Sequence, residues 1–189
     1  MAGAFLSLAV VGTAAAGELG PANFDAPQTH GPIFQADSIK LDVHRIGRVN
    51  LTSADLMPGD SITDAVVVVN LGAGQLRYAM STSSSNTDGK GLRDVLTLTI
   101  TTIDATTAGG SCDRFDGRTV LTSTSLSSIS AGFGSAAFGA DPNDRTLPAG
   151  TSETLCLRVT MLLEAGDAYQ GASTTTTFTF MAESTENNP

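Results

Sequence analysis

The sequence predicts an all-β protein, a jelly-roll-like antiparallel β-sandwich with a Gly/Ser/Thr-rich insertion. Its polar residues are mostly Ser, Thr, Gly and Asn, which is typical of sheets rather than helices. Apolar residues alternate with a period of two in short runs, and no run after residue 20 has the helical period of 3.6. Pro-Gly turns separate the runs. A chain of 189 residues suits one domain.

Seven runs are predicted as strands. The β-branched run from Val66 to Val69 has no polar interruption, which indicates a central strand covered on both faces. Turns with Pro and Gly at adjacent or nearby positions follow Met57 and Leu147. The predicted strands are 33–43, 48–56, 61–70, 76–80, 92–103, 153–163 and 168–181.

The stretch 104–144 is poor in charge and rich in Gly, Ser and Thr. It is interpreted as an insertion over the sandwich. Val120, Leu121, Leu126 and Ile129 supply the apolar side chains for a short strand or helix within it.

Residues 1–16 are apolar or small and carry no charge, and Ala14, Ala15 and Ala16 fit the small-residue pattern of a signal-peptidase site. This segment predicts an exported protein. The alternative is an apolar N-terminal strand that the mature protein retains. The run is shorter than the ~20 residues of a membrane-spanning helix.

Residues 17–32 form a leader in which Pro21, Pro27 and Pro32 disfavour helix. The β-sandwich domain is predicted to span 33–189. Cys112 and Cys156 are the two cysteines of the chain. They can pair if the protein is exported, and otherwise they are two unpaired thiols.

The net charge of −9 argues against nucleic acid as a partner, since that binding depends on Lys and Arg. His30 and His44 are far from a His-Glu-x-x-His spacing, and the cysteines lack the paired spacing of a zinc site. No Gly-x-Ser-x-Gly elbow occurs. The sequence therefore predicts no enzyme, no cofactor and no small-molecule substrate.

Four aspartates lie in the insertion 104–144 and could gather near each other. Their spacing permits Ca²⁺ only loosely and does not match an EF-hand loop, so they are interpreted as turn-capping residues. These aspartates are Asp113, Asp116, Asp141 and Asp144.

Several segments, in this order and spacing, resemble the TasA/camelysin family of exported biofilm-matrix and surface proteins. They are the phrase Ser-Ala-Asp-Leu-Met-Pro-Gly-Asp-Ser at 53–61, the valine strand ending at Asn70, and the Gly-flanked Leu-Arg-Tyr at 76–78. The ending from Ala168 to Thr185, with Tyr-Gln-Gly before a Thr-rich Phe-x-Phe, is also similar to the family's last strand.

The resemblance implies a secreted structural protein that assembles with itself into extracellular or cell-surface fibres, in some members by donating an N-terminal strand. The candidate donor is 17–34, with Phe24, Ile33 and Phe34 as anchors. The alternative is a flexible leader. The cell envelope or other matrix components are further expected partners. Two other functions stay open: a camelysin-like surface metalloprotease, and a monomeric adhesion or carbohydrate-binding module.

Overall fold

The computed structural model describes residues 5–12, 41–45, 56–105, 111–129, 131–135, 137 and 139–185. For 5–12 and 41–45 it describes the backbone alone. The described chain forms nine strands and two short 3-10 helices, Leu92–Asp94 and Asp167–Tyr169. The strands are β1 (Phe5–Gly12), β2 (Leu41–Arg45), β3 (Ser61–Asn70), β4 (Leu76–Ser84), β5 (Leu96–Thr102), β6 (Thr119–Ser125), β7 (Arg145–Leu147), β8 (Ser152–Met161) and β9 (Ser173–Ser184).

The strands form two sheets, in the orders β1-β9-β4-β7 and β2-β3-β8-β5-β6. Pairings within β3 to β9 are all antiparallel. These seven strands follow the order of an eight-stranded jelly roll that lacks the strand beside β9. β1 fills that position, and its pairing with β9 is parallel. The predicted all-β sandwich is therefore confirmed.

The inner faces of both sheets meet in one apolar core. β8 alternates as its sequence predicts, and its residues Leu155, Leu157 and Val159 are almost completely buried. From the facing sheet, Phe178 and Phe180 of β9 are fully buried. Period-two alternation puts every second residue on one face, so these side chains interdigitate between the sheets.

The valine strand has the position and the bounds that the sequence predicts. β3 lies between β2 and β8, and Val66, Val67 and Val68 are all buried. Successive residues of a strand face opposite sides, so the burial of three in a row shows that both faces are covered there. The preceding turn is also as predicted: Gly59 has a φ of 90°, and the Asp60 N–H donates to the Met57 carbonyl at 2.9 Å.

The described residues of the segment 104–144 form part of the sandwich instead of only covering it. It contributes β6 to one sheet and extends to β7 in the other. Between them, Phe133 forms an isolated antiparallel bridge with Met80. A Cβ on Gly132 would lie 2.0 Å from the Met80 carbonyl oxygen, so this bridge requires glycine.

A polar clasp joins the two sheets near β7. The buried Tyr78 of β4 donates its hydroxyl to Glu153 of β8, and Arg145 of β7 forms two hydrogen bonds to the same carboxylate. The Tyr78 ring also meets Phe133 edge to face, with centroids 5.7 Å apart. Burial, with the nearby Glu153 charge, raises the pKa of the Tyr78 phenol far above its ordinary value.

Candidate assembly site: strand edges and the two ends of the sandwich

The sandwich has two ends. The Met57 end comprises the Met57–Asp60 turn, the loop 85–95, the turn residues 126–129 and 131, and the segment 162–172. The Asn70 end comprises the turn 71–75, the loop residues 103–105 and 111–118, the turn 148–151 and the end of β9. Strand registers define these ends: β8 ends and β5 begins at the Met57 end, because Leu96 pairs with Met161.

In the sheet β1-β9-β4-β7, the side of β4 that faces away from β9 is closed to further pairing. At this edge, alternate β4 residues direct their backbone groups away from β9. β7 pairs with the first three residues of β4, and the Phe133 bridge occupies Met80. Further along, Arg93 donates to the Ser84 carbonyl at 2.8 Å. Side chains and short strands of this kind prevent an edge from pairing with another chain.

The other edge of this sheet is the outer side of β9. Ser85 N–H donates to the Thr175 carbonyl, so the alternate residues Thr176, Phe178 and Phe180 direct their backbone groups away from β4. β1 pairs with this edge over eight residues, from Phe5 opposite Ser173 to Gly12 opposite Phe180. Residues 5–12, which belong to the predicted signal peptide, thus lie in the sheet, as the alternative of a retained strand expects. Cleavage of the signal peptide stays a prediction.

β9 is suited to be an edge strand because buried and exposed residues alternate along it. Thr174, Thr176, Phe178, Phe180 and Ala182 face the core and are buried. The intervening residues are threonines and Met181, which are partly or fully exposed. The inner face is therefore already packed, whichever strand pairs with the outer side.

β6 is a second edge strand, in the other sheet. Its seven residues carry no charge, and all are partly or fully exposed. Register shifts interrupt its pairing with β5 at Leu98, Ile100 and Thr101. Such bulges increase local twist and make further pairing along an edge less favourable.

The predicted anchors Phe24, Ile33 and Phe34 lie outside the described residues, as does the rest of the leader. The described residues that flank this stretch are nevertheless informative. Gly12 pairs with Phe180, and Leu41 pairs with Asn70. Both flanking residues therefore lie toward the Asn70 end.

The predicted disulfide is present. Cys112 and Cys156 are bonded, with Cα atoms 5.4 Å apart. Cys156 lies on the outer face of β8, and the bond fixes the loop residues 111–118 over that face. Phe115 of the loop has a φ of 56°, and the Arg158 guanidinium of β8 lies 3.9 Å from its ring centroid.

A buried carboxylate organises the same loop. Asp104 accepts the backbone N–H of Arg114 at 2.9 Å and of Asp116 at 3.3 Å, together with the Ser111 hydroxyl. Asp116 in turn accepts the Ala105 N–H at 2.9 Å. A buried carboxylate needs such donors, and here the loop's own backbone supplies them. No local sequence pattern marks Asp104, because these donors follow it at distances of seven to twelve residues.

The predicted turn-capping role of the aspartates holds for Asp116 and for Asp144. Asp144 accepts the backbone N–H of Ser135 and of Asp141, at 2.9 and 3.0 Å. Within the described ranges, no group of three His, Cys, Asp or Glu residues could hold a metal ion. His30 is outside those ranges, and the side chain of His44 in β2 is not described.

Two polar clusters link strands, and neither was predicted from the sequence. One is the clasp of Tyr78, Arg145 and Glu153, where the hydrogen bonds to Glu153 raise the pKa of the Arg145 guanidinium. The other is the ion pair of Arg77 with Glu183, whose carboxylate also accepts the Gly139 N–H. Their hydrogen bonds join strands that are distant in sequence, so a single sequence carries no local signal for them.

The described part of the chain has no helix long and apolar enough to cross a membrane. No protein-family model and no curated protein matches the chain. Among solved structures, it is similar to AvmM, which is described as catalysing macrocyclization in alchivemycin A biosynthesis. Identity is 15%, coverage is 68% of this chain and 67% of the other, and the TM-score is 0.28. A likeness this weak carries no argument about function. The fold alone therefore classifies this chain: it is an all-β sandwich whose strands follow jelly-roll order.

Proposed function

We propose that this protein is an exported structural protein whose copies assemble into extracellular or cell-surface fibres by strand donation, as the resemblance to the TasA/camelysin family implies. The observation that carries the proposal is the outer edge of β9. A parallel strand completes it, in a sheet where the other described pairings are antiparallel. That strand belongs to a segment that the sequence predicts to be removed on export.

Removal of residues 1–16 would leave the outer edge of β9 open along eight residues. Its backbone N–H and C=O groups would then be available to an extended segment of another copy. β9 runs from the Met57 end to the Asn70 end. In copies stacked end to end, the leader begins its path at the Asn70 end of its own copy and enters the neighbour at the Met57 end.

This geometry gives the donor a direction and assigns its alternate residues to the two faces of the sheet. The C-terminal part of the leader lies at the Met57 end of the neighbour, and its N-terminal part lies toward the neighbour's Asn70 end. The leader therefore runs antiparallel to β9 and takes the position of the eighth strand of a jelly roll. Between Ala22 and His30, even-numbered residues include Ala22, Phe24 and Ala26, while odd-numbered ones include Asn23 and Asp25. Phe24 therefore faces the core, and odd-numbered Pro27 directs its missing N–H toward solvent, where an edge strand tolerates it.

The test is negative-stain electron microscopy of the chain beginning at Gly17 beside the chain beginning at Ile33, both at high concentration. We expect filaments from the longer chain and single particles from the shorter one. The variant Phe24→Ser should lose filaments, and the matched control Asn23→Ser should keep them. Single particles from the longer chain would contradict the proposal and favour a monomeric surface module.

A further inference from the structure

Exposed apolar side chains are concentrated at one end of the sandwich. Among the described residues, four large hydrophobic side chains are exposed: Met57 at 61%, Leu71 at 49%, Ile129 at 99% and Leu163 at 77%. Single exposed apolar residues are normal, but three of these four lie at the Met57 end. Only Leu71 lies at the Asn70 end.

The three residues lie along one border of the second sheet. A Cβ on Gly59, in the turn that contains Met57, would touch Leu163 at 3.4 Å. Leu162 N–H donates to the Val95 carbonyl, and Leu126 N–H donates to the Leu96 carbonyl, so β5 lies between Leu163 and the turn that carries Ile129. Two strand spacings separate them, about 10 Å. We call Met57, Ile129 and Leu163 the apolar end surface.

The length of the leader excludes one candidate partner for this surface, which is the leader of the same copy. Leu41 pairs with Asn70, nine residues along β3 from Ser61 at the Met57 end, which is a distance of about 30 Å. Ile33 and Phe34 precede Leu41 by eight and seven residues, so they reach at most about 29 Å even when fully extended. They would also have to reverse direction first. They therefore cannot reach the apolar end surface of their own copy.

When copies stack end to end, the apolar end surface of the next copy faces the Asn70 end, from which Ile33 and Phe34 of the first copy extend. We propose that Ile33 and Phe34 of one copy dock on Met57, Ile129 and Leu163 of the next, so that the Met57 end receives the Asn70 end of its neighbour. This inference rests on the proposed function and adds a contact separate from the β9 edge. Because the two contacting surfaces differ, the contact is head-to-tail and generates a chain rather than a closed dimer.

The test compares full-length chains expressed in a secreting bacterial host. The end variant carries Met57→Gln, Ile129→Ser and Leu163→Gln, and the leader variant carries Ile33→Ser and Phe34→Ser. Thr122→Gln, exposed in the middle of β6 and away from both ends, is the matched control. Pelleting in the ultracentrifuge should recover wild type and control equally, and the end variant and leader variant at least ten-fold less.

Mixing the end variant with the leader variant sharpens the test. The end variant retains a working leader, and the leader variant retains a working end surface. Their equimolar mixture should therefore form a 1:1 dimer of twice the mass of the processed chain and nothing longer, measured by light scattering. A dimer also shows that both variants are folded.

Three outcomes overturn the inference and are distinguishable. If wild type forms filaments and the end variant forms them equally well, the end contact is wrong while the proposed function stands. If wild type remains monomeric at every concentration, assembly itself fails, and the end contact fails with it. A mixture that yields no dimer although both variants unfold at the wild-type temperature also contradicts the contact.

Discussion

Removal of the Cys112–Cys156 disulfide, by Cys112→Ala with Cys156→Ala, tests what holds the loop residues 111–118 on β8. The two cysteines are 44 residues apart in sequence. Closing a loop of this length in the unfolded chain is worth about 4 kcal/mol at 25 °C in the chain-entropy model. Alanine is chosen because Cys156 is fully buried and a serine hydroxyl there would need a partner.

Equilibrium unfolding in urea, followed by circular dichroism, measures the effect. We expect a free energy of unfolding lower by about 4 kcal/mol and, for a slope near 2 kcal/mol/M, a midpoint lower by about 2 M. Wild type unfolded in the presence of a reductant should match the variant. A loss below about 1 kcal/mol would refute the reasoning, because it would mean that the bond barely restricts the unfolded chain.

Three further predictions concern single residues. Tyr78 has a pKa raised by burial, so the unfolded chain loses this proton first, and stability that is complete below about pH 10 should fall as pH rises further, by up to about 1.4 kcal/mol per pH unit. Urea unfolding between pH 9 and 11.5 should show this slope in wild type and a smaller one in Tyr78→Phe; equal slopes would contradict the assignment. Gly132→Ala should lower stability by more than 2 kcal/mol, roughly, since its Cβ would meet the Met80 carbonyl, whereas Gly166→Ala, with no atom within 4 Å, should change it little. Thermal melts of both variants check this, and equal effects would argue against the close approach at the bridge. Asn143 has a φ of 71°, so Asn143→Ala should cost about 1 kcal/mol while Asn143→Gly is nearly neutral, as measured by urea unfolding; a more stable alanine variant would be the opposite result.

Local patterns account for the parts of the fold that the sequence predicted. β3 and its preceding turn follow from β-branched residues and from Pro58 and Gly59, whose preferences act within a few residues. The alternation of β8 and β9 likewise identifies their inner faces. The segment 104–144 was harder to predict because its strands are short and polar, so β6 and β7 give little periodic signal.

For the proposed assembly site, the sequence supplied the candidate donor and its anchors, which lie outside the described residues. It did not identify the proposed acceptor. The outer edge of β9 depends on which strands pair with it. The apolar end surface depends on Met57, Ile129 and Leu163 coming together from three separate turns. Such placements follow from pairings between distant segments, which one sequence does not specify.

By itself, then, the sequence determined the all-β class, the strand faces, most of the turns and the two cysteines available for a disulfide. The tertiary structure alone decided that these cysteines are bonded, that Tyr78 and Glu153, 75 residues apart, meet across the sandwich, and that β4 has a closed edge while β9 is completed by a parallel strand. The physical reason is range: backbone preferences and periodicity act over a few residues, whereas strand pairing and core packing select among distant partners by the free energy of the whole fold.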